Sequence, residues 1–237
     1  MREQPEQQAP PVQRLRIRYA KRGRLRFTSH RDFSRAFERA VFRARIPMAY
    51  SSGFNPHPRI SYAGASPTGA ASEAEYLEIG LAQVVDPADV HRELDEALPE
   101  GLDVLEVVES PGGSLSDQLT GSRWRIGLPG DADLAPLVER FLAQETILVE
   151  RMTKKGLREF DARGAVVSMR AEPGPGGTVL DLVLRHTVPA VRPDDVLTAM
   201  GKVGELKHAG APVLTRLEQG PFDELTQTIG DPLHVAT

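Results

Sequence analysis

The chain has 237 residues, 40% of them hydrophobic and 26% charged, with 21 Gly, 19 Pro and no Cys. At ~150 residues per domain that length suits one large domain or two small ones, and either can bury enough apolar surface to fold without staples. The absence of Cys excludes disulfides, thiolate zinc sites, a thiol nucleophile and a Cys-ligated iron–sulfur cluster within these residues.

No apolar run approaches the ~20 residues of a membrane span. The opening Met1–Pro11 is polar throughout, unlike a secretion signal. These features predict a soluble, cytoplasmic protein with a disordered lead-in over 1–12. The net charge of −4 hides an asymmetry: residues 12–60 hold 12 Arg and Lys21 against only Asp32 and Glu38. This local balance of +11 leaves −15 for the remainder. Arginines clustered on an acidic chain point to a local polyanion- or carboxylate-binding face. A GC-rich genome that replaces Lys with Arg would also enrich Arg, though evenly along the chain.

Along the chain, Val12–Tyr19 alternates, with Leu15, Ile17 and Tyr19 on one side and Arg14, Arg16 and Arg18 on the other. That is the pattern of a half-buried strand with a basic outer face. Lys21-Arg22-Gly23 reads as a turn, and Leu25 and Phe27 as an inward-facing extended segment. Ser29-x-x-Asp32 resembles a capping box and opens a helix. Its apolar stripe is Phe33, Ala36, Phe37, Ala40, Val41 and Ala44, opposite Arg31, Arg35, Arg39 and Phe42. Pro47 ends it. Strands are expected at Ile60–Ala63, Glu75–Leu81 and Val104–Val108, and a helix starts at Asp86-Pro87.

The order to residue 109 is β-α-β-β-α-β, the ferredoxin-like plan. Ser110–Gly121 reads as a linker. A similar order then repeats. Strands are expected at Trp124–Leu128, Ile147–Met152, Val179–Leu184 and Val213–Leu217, with Lys154-Lys155-Gly156 as a turn and Val166–Met169 extended. Helices are expected around Leu134–Leu142 and after Arg192. The expected fold is α+β: two tandem ferredoxin-like (βαββαβ) units with antiparallel sheets. They are a basic N-terminal domain over 13–110 and a C-terminal domain over 122–218, joined by a linker over 111–121 and followed by a tail over 219–237.

Three features could carry chemistry. His30 and Arg31 sit at a helix start, where backbone N–H groups and the helix dipole favour an anion. Simple capping by Ser29 and Asp32 is the plainer account of the same segment. Tyr50–Arg59 is a proline-braced loop in which Asn55 could read a base edge, and His57 and Arg59 could contact a nucleotide. Phe54 could stack on a base there, but reads more readily as a core plug. The strand row Arg14, Arg16 and Arg18 and the helix row Arg31, Arg35 and Arg39 could meet phosphates or simply face water. Phe42 among those helix arginines suggests a surface that a partner covers.

Glu73, Glu75 and Glu78 read as a carboxylate-rich strand edge, not as a metal site. There is no Walker loop, GxGxxG or GxSxG motif, so no metal or cofactor is expected.

The runs Arg18-Tyr-Ala-Lys21, Gly23-Arg-Leu-Arg-Phe27-Thr-Ser-His30-Arg-Asp32 and Gly53-Phe-Asn-Pro-His-Pro-Arg59, with Ser72-Glu-Ala-Glu75-Tyr76, resemble the motifs of the radical SAM-linked (radical SAM-associated) proteins. This is a bacterial domain of unknown function, found as free chains or fused behind a radical SAM enzyme. The resemblance covers about residues 13–210 and departs at Arg31, where the family more often carries an apolar residue. It implies a radical SAM enzyme as partner.

The expected function is a non-catalytic RNA-binding or substrate-presenting partner in RNA modification. Arg14, Arg16, Arg18, His30, Arg31, Phe54, Asn55, His57 and Arg59 would contact RNA or the partner. One alternative is a metal-independent RNase with His30 and His57 as general base and acid. Another is a protein-interaction module docking on the radical SAM enzyme through Phe42 and the arginine helix.

Overall fold

Leu15 and Ile17 alternate with arginines along β1 (Gln13–Lys21), and both are fully buried. In the computed structural model, which describes residues 7–153 and 156–234, β1 pairs antiparallel with β3 (Ala71–Leu81) on one side and β4 (Val104–Glu109) on the other. The short β2 (Ile60–Ala63) lies on the far side of β3, again antiparallel. The order is therefore β4-β1-β3-β2. Residues 1–6 of the expected lead-in lie outside the described residues. Its described part is held: the Gln8 N–H donates to Ser52 Oγ and the Val12 N–H to Leu81 O.

Helix α1 (His30–Arg43) starts where Ser29 accepts the Asp32 N–H at 3.2 Å, the cap expected from the sequence. It buries Phe33, Phe37, Ala40 and Val41, and Phe33 stacks on Tyr19 of β1 at 4.4 Å between ring centroids. Helix α2 (Pro87–Ala97) starts at Asp86, whose carboxylate accepts from Ala88 N, and buries Val90, Leu94 and Ala97. Both helices contribute to one core with β1, β3 and β4.

Leu25 and Phe27 do not form an inward-facing extended segment. Gly23 takes a φ of 54°, and Gly23–Phe27 coils into a 3-10 turn. With three residues per turn, positions 25 and 27 no longer share a face. Phe27 is exposed, with the Arg26 guanidinium 4.7 Å from its ring centre.

Residues 7–118 with 232–234 form one unit, and residues 119–231 form another. The segment expected as a linker is structured: a short helix α3 (Leu115–Gln118) buries Leu115, and Leu119 is buried after it.

In the second unit β5 (Gly121–Pro129) pairs antiparallel with β9 (Gly177–Arg185) and β10 (Val213–Gly220), and β9 pairs with β8 (Val166–Gly174). Helices α4 (Ala135–Leu142) and α5 (Pro193–Val203) match the expected stripes. The expected strand near Ile147–Met152 exists as β6 (Leu148–Thr153), but it pairs with β7 (Gly156–Asp161) in a separate two-stranded ribbon. β8, expected only as an extended stretch, takes the place beside β9 instead. Lys154 and Lys155 of the expected turn lie outside the described residues.

Past residue 219 the chain is held over its described part. Phe222–Asp223 (β11) pairs with Thr228–Ile229 (β12), and Leu233 is buried. The fold is thus α+β, with antiparallel ladders dominating and few helices.

Candidate nucleic-acid interface

The strand arginines project away from Leu15 and Ile17, as alternation requires, but they are not a free basic ribbon. Arg16 has 0% exposure. Its Nε donates to Glu78 Oε2 at 3.2 Å, Nη2 to the carbonyls of Gly112 and Gly113, and Nη1 to Gln118 Oε1 and Pro232 O. Arg14 donates to Glu78 Oε1 at 3.1 Å, although its side chain is largely exposed. Arg18 donates to the Glu73 carbonyl at 2.9 Å. Arg16 is therefore corrected from a ligand group to a structural one: all the polar atoms of its fork are spent on the protein.

The same contacts correct the reading of the β3 carboxylates. Glu78 pairs with Arg16 of β1 on one side and Ser61 of β2 on the other, so it does not lie on an open edge. Glu73 and Asp103 hold Arg22, and Glu75 is buried, accepting the Ser66 N–H. Burial pushes the Glu78 carboxyl up, but hydrogen bonds from Ser110, Arg14 and Arg16 outweigh it and hold the group below the usual carboxylate range.

Helix α1 presents a different kind of basic surface. Arg31, Arg35, Arg39 and Arg43 recur every four residues, so they form one slowly turning row about 6 Å apart along the axis. All are exposed, and none makes a hydrogen bond or ion pair among the described residues. Like charges at this spacing cost a helix about 0.2–0.5 kcal/mol per pair. Arg31 also sits at the positive end of the helix dipole. Such a row is unfavourable for the isolated protein and favourable beside a polyanion.

The row ends on a strained residue. After the helix, Ile46 N donates to Val41 O and Arg45 N to Phe42 O, the bonding of a Schellman cap. Arg45 occupies its left-handed position with φ 53°, where Gly is usual. Arg45 is exposed and likewise has no partner among the described residues.

The loop facing this helix end is braced at its base. Tyr50 and Pro58 bridge, Ser51 N donates to His57 O at 2.9 Å, His57 N donates to Ser51 Oγ at 3.0 Å, and Arg59 Nε donates to Tyr50 O at 3.1 Å. These bonds set Phe54, Asn55 and His57 outward. Phe54 is 71% exposed, so it is no core plug. Arg59 is half-buried and serves the loop itself.

Phe42 at the end of α1 is 83% exposed and Tyr50 is 43% exposed. Both line a cavity of about 530 Å³ with Arg43, Arg45, Glu38 and Pro58. An adjoining hollow of about 490 Å³ shares Glu38 and Phe42 and adds Arg35 and Arg39. Basic and aromatic groups are thus interleaved along two adjoining open hollows.

His30 lies at the other end of α1, exposed and edge-on to Tyr62 at 4.9 Å between ring centroids. Burial pushes the Tyr62 phenol up to about 12. Among the described residues no contact joins the imidazoles of His30 and His57.

Of the residues expected from the sequence, Arg31, Arg35, Arg39 and Phe42 are exposed on α1, and Phe54, Asn55 and His57 are exposed on the loop. Arg43, Arg45 and Glu38, which also line the hollows, are not among them, and Tyr50 is expected only as the start of the loop. The four-residue recurrence of arginine was the available signal for Arg43. The strain at Arg45 and the closeness of Tyr50 to the helix end exist only in three dimensions.

All of these residues fall within 14–193, the stretch matched by the model of a family described as an uncharacterized protein conserved in bacteria. The chain belongs to this family, DUF2344. No curated protein matches the DUF2344 chain. Among solved structures it is similar to a chain in the crystal structure of a Cbf5-Nop10-Gar1 complex, with a TM-score of 0.48 and 11% identity. That likeness covers 93% of the DUF2344 chain and 56% of the other, so the present chain spans little more than half the length of its structural relative. Among the described residues no helix is long and apolar enough to cross a membrane.

Proposed function

We propose that this protein binds single-stranded RNA on the outer face of α1 and the adjoining 50–58 loop, as a non-catalytic RNA-binding partner of a radical SAM enzyme. One observation carries the reading: an unpartnered arginine row, Arg31 to Arg43, continues into a groove walled by exposed Phe42 and Tyr50. Arginine forks meet phosphate oxygens, and exposed rings accept unpaired bases of any sequence. The partner enzyme rests on the motif resemblance alone, and so does a role in RNA modification. The strand order β4-β1-β3-β2 in the first unit and β10-β5-β9-β8 in the second supports a ferredoxin-like plan for both, the second carrying the β6–β7 ribbon as an insertion.

The test is fluorescence anisotropy with a labelled single-stranded RNA of about a dozen nucleotides, a length suited to such surfaces. Affinity should fall with salt with a log–log slope of about −3, as several phosphate contacts on a single strand require. The triple variant Arg35→Ala, Arg39→Ala and Arg43→Ala should lose most of that slope. Absence of binding at low salt, or a slope unchanged in the triple variant, overturns the reading.

A further inference from the structure

Residues 12–60 contain two carboxylates, and Asp32 is committed to the α1 cap with Ser29. The other, Glu38, stands between Arg35 and Arg39 in a strongly basic face. It lines both parts of the groove, is exposed, and makes no hydrogen bond or ion pair among the described residues, despite its cationic neighbours. A surface that only held phosphates would be weakened by a carboxylate beside its arginines. A carboxylate is an acceptor with no proton to give at neutral pH, so it selects a ligand that presents donors.

Next to it are Phe42 and Tyr50, exposed rings suited to receive an unpaired base. A base lying on such a ring turns its Watson–Crick edge toward side chains beside it, and that edge is what single-strand readers use. Guanine is the common base whose edge offers two adjacent donors, N1–H and N2–H, matched to the two oxygens of one carboxylate. Cytosine and adenine offer one amino group each, and uracil one imino N–H beside acceptors that would repel the carboxylate.

Resting on the RNA-binding reading above, we infer that the Glu38–Phe42–Tyr50 groove is a guanine-selective slot. The base stacks on an aromatic ring, Glu38 accepts from its N1–H and N2–H, and the arginine row holds the flanking phosphates. The cavity of about 530 Å³ lies within the roughly 300–1,000 Å³ of small-ligand sites, ample for one base.

The experiment compares short oligouridines carrying a central uridine, guanosine or inosine, measured by anisotropy on the full chain. The guanosine oligomer should bind about tenfold tighter than oligouridine, the size of one good bidentate base contact. Inosine, lacking the N2 amino group, should lose most of that advantage. In Glu38→Gln the guanosine-to-uridine ratio should fall to about one, because one carboxylate oxygen becomes a donor that opposes guanine N–H. In Phe42→Ala all three oligomers should weaken together by about tenfold, the share of one stacked base. Phe42 and Glu38 are both exposed, so neither change threatens the fold. Equal wild-type binding of guanosine and uridine oligomers, or a preference that survives Glu38→Gln, overturns the guanine slot and leaves the RNA-binding reading intact. Failure of every oligomer to bind overturns both.

Discussion

Arg16 Nε lies 3.2 Å from Glu78 Oε2, and the arginine side chain has no exposed surface at all. The pair spans β1 and β3 directly, since Arg16 and Glu78 are register partners in the ladder. Around it, Arg14 and Ser110 occupy the remaining capacity of the carboxylate, while Gln118 Oε1 and the carbonyls of residues 112, 113 and 232 occupy the rest of the guanidinium. A fully desolvated charge is tolerated only when its hydrogen bonds are met in this way.

Removing one partner should therefore be severe. Arg16→Ala should destabilise the protein by about 3–5 kcal/mol, because it leaves Glu78 short of its counter-charge and several carbonyls without donors. Arg16→Met, which keeps the volume, should cost less when Glu78→Gln is made with it. Urea denaturation of the single and double variants checks this. A loss below about 1 kcal/mol for Arg16→Ala would show that the site is wet and exchangeable, contrary to its burial.

The Glu78 carboxyl also makes acid stability directional. Its folded pKa lies below the ordinary 4.5, so it contributes stability in full above that value. The contribution is lost as pH falls through the lower folded value. Thermal melts should show the midpoint dropping as the pH is taken below about 4.5. Glu78→Gln, already without the carboxylate, should start lower and fall less steeply. Parallel curves for the two proteins would remove Glu78 from the explanation.

Arg45 sets stability against binding. Its φ of 53° is a conformation that costs a non-glycine residue about 1–2 kcal/mol, partly offset by the greater unfolded-state freedom of glycine. Arg45→Gly should stabilise the protein by roughly 0.5–1 kcal/mol and at the same time weaken RNA binding. Melting and anisotropy on one preparation test both halves. Lower stability in the glycine variant would contradict the cap geometry.

Phe37 marks the centre of the α1 stripe, fully buried and 5.8 Å from Phe33 between ring centroids. Phe37→Ala should cost about 3–5 kcal/mol, as large core truncations do. Should that chain fail to fold, Phe37→Leu should still fold with a smaller loss. A cost below about 1 kcal/mol for the alanine variant would mean the helix packs through other residues.

How far each feature could be read in advance follows from the range of the interactions that set it. The α1 stripe, its Ser29 cap, the Asp86-Pro87 start of α2 and the element order of the first unit depend on residues a few positions apart, and local spacing displays them. Alternation also put Arg14, Arg16 and Arg18 on the face opposite Leu15 and Ile17. It could not say whether that face was covered, because the groups that bury Arg16 stand 96, 97, 102 and 216 residues away.

Phe54 shows the same limit from the other side. Composition marks a large apolar residue as a core candidate, but the backbone bonds that close the loop between Ser51 and His57 hold its tip away from the core. Likewise, a β-forming run at Leu148–Thr153 can be recognised locally, while its choice of β7 over the main sheet is decided by pairing geometry. Sequence by itself determined the stripes of α1, α2, α4 and α5, the alternation of β1 and the net positive charge of residues 12–60, because periodicity and charge are local quantities. Only tertiary structure decided which arginines neutralise the protein's own carboxylates and which remain for a ligand, because solvation and counter-charge depend on what the rest of the chain places nearby.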